Sequence, residues 1–198
     1  MSMSKRILIV GGNSGIGEKL NKLFPYHKSQ CLSEDEFTYL DNYYKEEKNV
    51  IHPEFIKKIT KLTDKKAKDN LSTVGGVDKK TRNVKGYHLN FDTPTNIFYW
   101  DFIKKEIERL YIFYKGKFPR MQSIKINQID LLKYSPGGKY DVHTDNFTVT
   151  PRSLSIIINL NDTYKGGDLV FTDQKEKEIK RLKLSKGSIV FFPSNFLY

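Results

Sequence analysis

The spacing of apolar and polar residues predicts several helices in the first 120 residues of the chain. Apolar side chains recur at helical spacing over residues 96–114, with charged side chains opposite them, which predicts an amphipathic helix packed on a sheet. A second helix is predicted over 51–62. Ser33 and Glu36 form the pattern of a capping box, which predicts a third helix reaching residue 44.

Apolar runs bounded by turn residues indicate β-strands in the remaining sequence. The predicted strands cover residues 5–10, 123–134, 154–160, 167–171 and 186–193. Residues 70–85 contain Gly75 and Gly76 and are predicted to form an exposed loop or a hairpin. Helices followed by a run of strands argue against a sheet of repeated βα units. The expected fold class is α+β and mainly β.

The first thirty residues show a different pattern. The strand at 5–10 is followed by a glycine-rich turn over 11–17 and by a predicted helix over 18–24. Such a turn allows close backbone approach to a phosphate at a helix N-terminus, and G-G-N-S-G-I-G resembles the start of short-chain dehydrogenases. The later sequence does not continue that fold. We therefore predict a short Rossmann-like strand–turn–helix segment over 1–30, either packed on the rest or left from a fusion, and one domain over 31–198.

Candidate metal chemistry lies at His143 and Asp145. Side chains two residues apart on a strand point to the same face, so this pair offers an imidazole and a carboxylate to one metal ion. A second His would complete a 2-His-1-carboxylate set, but no His follows position 143 in this sequence. His27, His52 and His88 are expected to be surface or hydrogen-bonded residues.

The motifs around this pair are specific when taken together. Residues 134–145 read Y-x-P-G-G-x-Y-x-x-H-x-D, and they are followed by an apolar strand ending in L-N-D, by G-G-D-L and by K-G-S-x-V-F-F-P. In this order they resemble the Fe(II)- and 2-oxoglutarate-dependent dioxygenases of the prolyl 4-hydroxylase-like type over residues 121–198. The resemblance implies a double-stranded β-helix core (jelly-roll, cupin-like) with supporting N-terminal helices.

The resemblance also implies a site and its cofactors. The residues it assigns are His143 and Asp145 for the metal, Tyr134 and Asn159 for 2-oxoglutarate, and Tyr140 and Asn146 near the site. The implied cofactors are Fe(II), 2-oxoglutarate as co-substrate, dioxygen and, in addition, ascorbate. A neutral His143 needs an acceptor for its other ring nitrogen, because such acceptors orient metal-binding imidazoles.

Three features of the family are expected beyond Pro193 and do not follow here. They are the distal His, a basic residue that pairs with the far carboxylate of 2-oxoglutarate, and the last two strands. The expectation is a barrel with missing last strands and unpaired strand edges. An incomplete sequence, a degenerate copy and a partner chain that supplies the strands are the alternatives, and the first is favoured.

Charge and cysteine content bear on partners and location. The net charge of +11 comes mostly from Lys, which favours solvated faces but also allows binding to nucleic acid. A single Cys31, no signal peptide and no apolar run of membrane length predict a cytoplasmic protein. No membrane partner is expected.

These observations lead to one functional prediction with two alternatives. The resemblance implies hydroxylation of a peptidyl side chain, with proline favoured and a peptide or protein as the substrate. Oxidative demethylation of nucleic acid is the second possibility, supported by the net charge. The third is a catalytically inactive barrel that acts as a binding module.

Overall fold

A computed structural model describes residues 4–13, 43–71, 76–119, 123–145 and 152–198. Its elements are, in chain order, β1 (Lys5–Asn13), β2 (Lys45–Glu47), α1 (Pro53–Lys66), β3 (Asp69–Asn70), β4 (Lys85–His88), α2 (Pro94–Lys117), β5 (Lys125–Tyr134), β6 (Leu154–Asn159), β7 (Leu169–Thr172), β8 (Glu178–Leu182) and β9 (Ile189–Pro193).

Two antiparallel sheets form the centre of the protein. The larger sheet has seven strands in the order β2-β9-β6-β1-β5-β4-β3, and the smaller sheet pairs β7 with β8. A buried cluster joins the two sheets and includes Ile7, Leu132, Phe171, Leu182 and Phe192. The smaller sheet therefore covers the inner face of the larger one, as in a sandwich of two β layers.

Both described helices pack on the outer face of the larger sheet. The apolar side of α2 buries Ile103, Ile107 and Leu110 in one cluster with Leu8 and Ile129 of the sheet. Helices α1 and α2 confirm the helices predicted over 51–62 and 96–114, and α2 is longer than predicted at both ends. The helix predicted to reach residue 44 lies almost wholly outside the described residues.

Strand β1 lies inside the larger sheet, between β5 and β6. It is antiparallel to both neighbours, with Lys5 opposite Tyr134 and Ile7 opposite Asn159. Alternate side chains then point to opposite faces: Ile7 packs between the sheets, while Leu8 packs against the helices. This strand thus contributes to both hydrophobic cores.

The position of β1 corrects two expectations. The glycine turn predicted to start at Gly11 does not start there, because Gly11–Asn13 continue the strand through a register shift between Gly11 and Gly12. The sequence also predicted unpaired strand edges, without naming the strands, and the structure pairs β5 and β6 each with β1. The helix predicted over 18–24 lies outside the described residues, and the division into 1–30 and 31–198 stays a prediction.

The antiparallel pairing of β1 also bears on the resemblance to dehydrogenases. The strand that opens a dinucleotide-binding fold pairs with parallel neighbours, whereas β1 has antiparallel neighbours on both sides. The strand therefore does not provide the sheet context of a nucleotide site.

The remaining predicted strands agree with the structure to within a few residues. Strands β5, β6, β7 and β9 correspond to the four runs predicted after residue 122. Strand β8 has no predicted counterpart, because charged residues interrupt its apolar pattern. Strand β3 pairs with β4, so the predicted loop or hairpin over 70–85 connects two paired strands.

No helix within the described ranges is both long and apolar enough to cross a membrane.

Candidate metal centre and its cavity

His143 and Asp145 lie in a segment that runs beside residues 194–198. His143 and Tyr198 exchange two main-chain hydrogen bonds, each 3.1 Å long, and the Asp145 amide donates to the Ser194 carbonyl at 3.0 Å. These bonds hold the segment extended, so the two side chains lie on the same side. His143 Nε2 is 3.7 Å from Asp145 Oδ1.

The other ring nitrogen of His143 is held by the main chain. Nδ1 lies 2.9 Å from the Asp141 carbonyl oxygen, and because a carbonyl can only accept, Nδ1 must carry the proton. Burial lowers the pKa of His143, although the charge of Asp145 opposes that shift. The imidazole is therefore neutral at neutral pH and presents the Nε2 lone pair, which is the form that binds metals.

The Asp145 carboxylate is oriented by a buried serine. Ser155 Oγ, on β6, donates to Asp145 Oδ2 at 2.7 Å and is itself 2.9 Å from Ser194 Oγ. Asp145 is 8% exposed, and Arg152 Nη1 lies 4.0 Å from its Oδ1. One carboxylate oxygen is thus occupied by Ser155, and the other faces His143.

A cavity of about 390 Å³ opens between the two sheets beside His143. Its lining includes Lys5, Ile7, Ile9, Tyr134, Tyr140, Ile157, Tyr164, Leu169 and Tyr198. The Tyr140 ring stacks on His143 with 3.6 Å between ring centroids. Burial raises the pKa of Tyr134 and Tyr140, so both keep their phenolic protons and can donate hydrogen bonds.

The cavity brings together some of the residues assigned from the sequence. Tyr134 and Tyr140 line it with His143. Asn159 has a different environment, because its Nδ2 donates to the carbonyls of Asn161 and Leu184, each at 2.8 Å. We therefore do not include Asn159 in the co-substrate site. Asn146 lies outside the described residues.

Two of the other histidines have hydrogen-bonding roles. His52 caps α1, where its Nδ1 accepts from the Glu54 amide at 3.2 Å. His88 Nδ1 lies 2.6 Å from Asp130 Oδ1, and this hydrogen bond raises the pKa of His88. His27 lies outside the described residues.

A row of polar residues, missed at the sequence level, leads away from Asp145. We call it the polar row: Arg152, Gln128, Asp130 and His88. Arg152 donates to Gln128 Oε1, Gln128 donates to Asp130 Oδ2 at 2.7 Å, and Asp130 contacts the half-exposed His88. The available signal was the pair of polar residues Gln128 and Asp130, which are two positions apart on β5 and therefore share one face of the strand.

Two further residues near the metal pair were not predicted: Lys5, which lines the cavity, and Ser155, which is hydrogen-bonded to Asp145. Lys5 stands in a segment that resembles a different family, and Ser155 stands in an apolar run where a polar residue is the only signal. Such a residue has to be hydrogen-bonded when buried, and Ser155 is fully buried.

The residues present fit a metal ion in part. His143 and Asp145 offer an imidazole and a carboxylate, the donor types of non-haem Fe(II) sites. No group of three or more His, Cys, Asp or Glu residues that could hold a metal ion occurs in the described parts of the chain. The Tyr198 hydroxyl is buried beside them, and burial together with the nearby Asp145 carboxylate raises the pKa of Tyr198, so this phenol keeps its proton.

Comparison with known proteins agrees with this geometry. Residues 129–198 match the family model of the 2OG-Fe(II) oxygenase superfamily, where 2OG is 2-oxoglutarate. A PKHD-type hydroxylase of Rippkaea orientalis is 28% identical over 146 residues, covering 66% of this chain and 62% of the relative. One of Prochlorococcus marinus is 30% identical over 135 residues, covering 66% of this chain and 58% of the relative. The chain thus spans less than two thirds of the length of these relatives.

The comparison with solved structures concerns the fold. A crystal structure of a Pseudomonas putida prolyl-4-hydroxylase superposes with a TM-score of 0.59 at 14% identity, covering 82% of this chain and 87% of that one. This likeness confirms the predicted double-stranded β-helix, or jelly-roll, fold. The H-x-D motif thus lies within a region, residues 129–198, that is similar to the 2OG-Fe(II) oxygenase superfamily, and the fold around it is similar to that of a prolyl-4-hydroxylase.

Proposed function

We propose that the chain binds Fe(II) through His143 and Asp145 and uses 2-oxoglutarate and dioxygen to hydroxylate a side chain of a peptide or protein, with proline favoured. The observation that carries the proposal is that His143 Nε2 and Asp145 Oδ1 lie 3.7 Å apart and that His143 lines a cavity. The second polar atom of each group is held elsewhere, by the Asp141 carbonyl and by Ser155.

The residues around the metal pair would position rather than transform the reactants. Bound Fe(II), with 2-oxoglutarate and dioxygen, supplies the oxidation of an unactivated C–H bond. The Tyr140 ring stacks on the imidazole and limits its rotation, while Tyr134 lines the same cavity. Two protein ligands bind a metal less tightly than three, so the expected affinity of this chain is modest. Ascorbate is proposed as the reductant that sustains turnover.

The choice of a peptide substrate has two supports. The relatives are named PKHD-type hydroxylases, and the structural neighbour is a prolyl-4-hydroxylase. The polar row also runs from Asp145 to the half-exposed His88, and it offers donors and acceptors that suit a peptide main chain. A cytoplasmic location remains part of the proposal.

Metal binding tests the first half of the proposal. Titration with Mn(II) in place of Fe(II) should give saturable binding to the wild-type chain and at least about a tenfold loss of affinity in His143→Ala. His52→Ala is the matched control, because His52 caps α1 outside the cavity lining. Equal affinities of the wild-type and His143→Ala proteins would overturn the assignment of the metal ligands.

Turnover tests the second half. Conversion of 2-oxoglutarate to succinate should require Fe(II) and increase with a proline-containing peptide, which mass spectrometry should find to gain one oxygen atom. Release of formaldehyde from a methylated oligonucleotide, without oxidation of the peptide, would show that the substrate is a nucleic acid and not a peptide. Folded protein that binds Mn(II) and turns over neither substrate would favour a binding module.

A further inference from the structure

We propose that the N-terminal strand β1 supplies the cation that holds the far carboxylate of 2-oxoglutarate, and that this cation is Lys5. The inference rests on the proposed function, since it takes 2-oxoglutarate as the ligand of the same cavity. It assigns a binding role to a part of the chain that reads, as sequence, like the start of an unrelated family.

The direction of Lys5 follows from the pairing of β1. Residues 5, 7 and 9 share one face of a strand, and Lys5, Ile7 and Ile9 all line the cavity that contains His143. Lys5 is paired with Tyr134, which lines the same cavity from β5. A basic side chain and a phenol are therefore neighbours on the inner face of the sheet.

The backbone on both sides of Lys5 is held in place. The Arg6 amide donates to Asn161 Oδ1 at 2.7 Å, and Asn161 Nδ2 donates to the Ser4 carbonyl at 2.9 Å. On the opposite face, Arg6 Nε forms an ion pair with Asp64 at 2.9 Å. Lys5 thus starts from a fixed position, which lowers the entropic cost of using it to bind a ligand.

The charge of Lys5 is only partly compensated by its surroundings. Its Nζ donates to the neutral Gly167 carbonyl and lies 5.4 Å from the Tyr164 ring centroid. The negative charge of Asp168 acts on Lys5 and opposes the lowering of its pKa, but this carboxylate also lies 3.4 Å from Arg181. Burial lowers the pKa of Lys5 to about 8, so the amine remains mostly protonated at neutral pH and gains from an anionic partner.

The cavity therefore offers two different recognition groups to one ligand. His143 and Asp145 suit a chelating metal-bound end, and Lys5 suits a carboxylate at the other end. The volume of about 390 Å³ lies in the range of small-ligand sites. Of the other lysines that line the cavity, Lys139 is 2.7 Å from Asp141, and Lys165 is exposed.

Binding measurements separate this inference from the proposed function. Calorimetry would measure the affinity of 2-oxoglutarate with Mn(II) present, and of succinate without metal, since succinate has two carboxylates but no chelating keto acid. The proteins compared are the wild-type chain, Lys5→Met, Lys5→Arg and the control Lys165→Met, each with its Mn(II) affinity and its unfolding curve. Lys5→Met should weaken both ligands by roughly 10- to 100-fold, the effect of losing one charge-assisted hydrogen bond.

The possible outcomes point in distinct directions. Support requires that Lys5→Arg recovers much of the affinity and that Lys165→Met and all the Mn(II) affinities stay unchanged. Equal losses in Lys5→Met and Lys165→Met, or no loss in either, would overturn the assignment while leaving the proposed function intact. Loss of succinate binding in Lys5→Met, in a protein that never binds Mn(II), would keep the Lys5 site and refute the metal centre. If Lys5→Met does not fold, the Lys5→Arg protein and the pH profile of wild-type binding decide. An affinity of the wild-type protein for succinate that does not fall above about pH 8 would contradict the assignment, because Lys5 loses its charge there.

Discussion

At the scale of single residues, Ser155 controls the orientation of a candidate metal ligand. Ser155→Ala removes the 2.7 Å hydrogen bond to Asp145 Oδ2 and should weaken Mn(II) binding by about tenfold, because groups that orient metal ligands have effects of this size. Ser188→Ala is the control, since Ser188 is equally buried and bonds to Ser185 instead. Equal Mn(II) affinities in the two variants would contradict the role of Ser155.

Gly167 matters because Lys5 passes close to it. A Cβ on Gly167 would lie 3.3 Å from Lys5 Cδ, whereas a Cβ on Gly166 would meet nothing within 4 Å. Both glycines have positive φ, so alanine at either should cost about 1–2 kcal/mol in the free energy of unfolding. Only Gly167→Ala should also weaken 2-oxoglutarate binding, which calorimetry on the two variants would show. A similar loss in Gly166→Ala would mean that loop strain, not contact with Lys5, is responsible.

His88 should give the stability of the protein a pH dependence. Its hydrogen bond to Asp130 raises its pKa in the folded state, so the stabilisation is fully present below the unfolded pKa of about 6.5 and is lost as pH rises through the folded pKa. The effect should stay under about 1 kcal/mol because the side chain is half exposed. Urea unfolding should show a larger gap between wild type and His88→Gln at about pH 5.5 than at about pH 8.5. A gap that widens with rising pH would contradict the pairing.

At the scale of elements, β1 should behave as an integral strand of the larger sheet. Leu8 is fully buried between the sheet and the helices, so Leu8→Ala should cost about 2–5 kcal/mol in the free energy of unfolding. Leu131→Ala, on the neighbouring β5 and equally buried, is the matched comparison. If β1 were an accessory segment, Leu8→Ala would change the unfolding midpoint far less than Leu131→Ala.

Local patterns predicted most elements but not the neighbours of β1. Helix α2 and strands β5 and β6 could be predicted because their apolar spacing is contained within each segment. The apolar run of β1 is equally compatible with a strand that opens a βα unit and with an interior antiparallel strand. Only pairing with distant residues, such as Tyr134 and Asn159, distinguishes the two. Gly11 and Gly12 indicated a turn, although glycine pairs also occur at irregular positions within strands.

The candidate site was predictable to a similar extent. His143 and Asp145 follow from a motif of three residues, so their proximity was accessible from the sequence. The residues that orient them, Ser155 and the Asp141 carbonyl, depend on how separate segments meet. Sequence spacing contains no direct information about such contacts, and the same holds for the polar row.

At the scale of the whole molecule, the net charge of +11 should produce weak, non-specific binding to nucleic acid. Duplex DNA should bind at about 50 mM salt and be largely released at about 200 mM, because this binding depends on counterion release. The His143→Ala variant and added 2-oxoglutarate should leave this binding unchanged in a fluorescence anisotropy titration. Salt-resistant binding that prefers methylated DNA and responds to 2-oxoglutarate would instead support the demethylase alternative.

The place of β1 in the sheet also has a consequence for biosynthesis. The ribosome makes β1 before its two partners, β5 and β6, which emerge only after both described helices. An apolar strand with open hydrogen-bonding groups must therefore wait until both partners have been made, at the stage when nascent chains are prone to aggregate. Pairing over such a sequence separation also makes folding slow. Chaperones that shield nascent apolar segments should consequently determine the yield of this protein more than its final stability does.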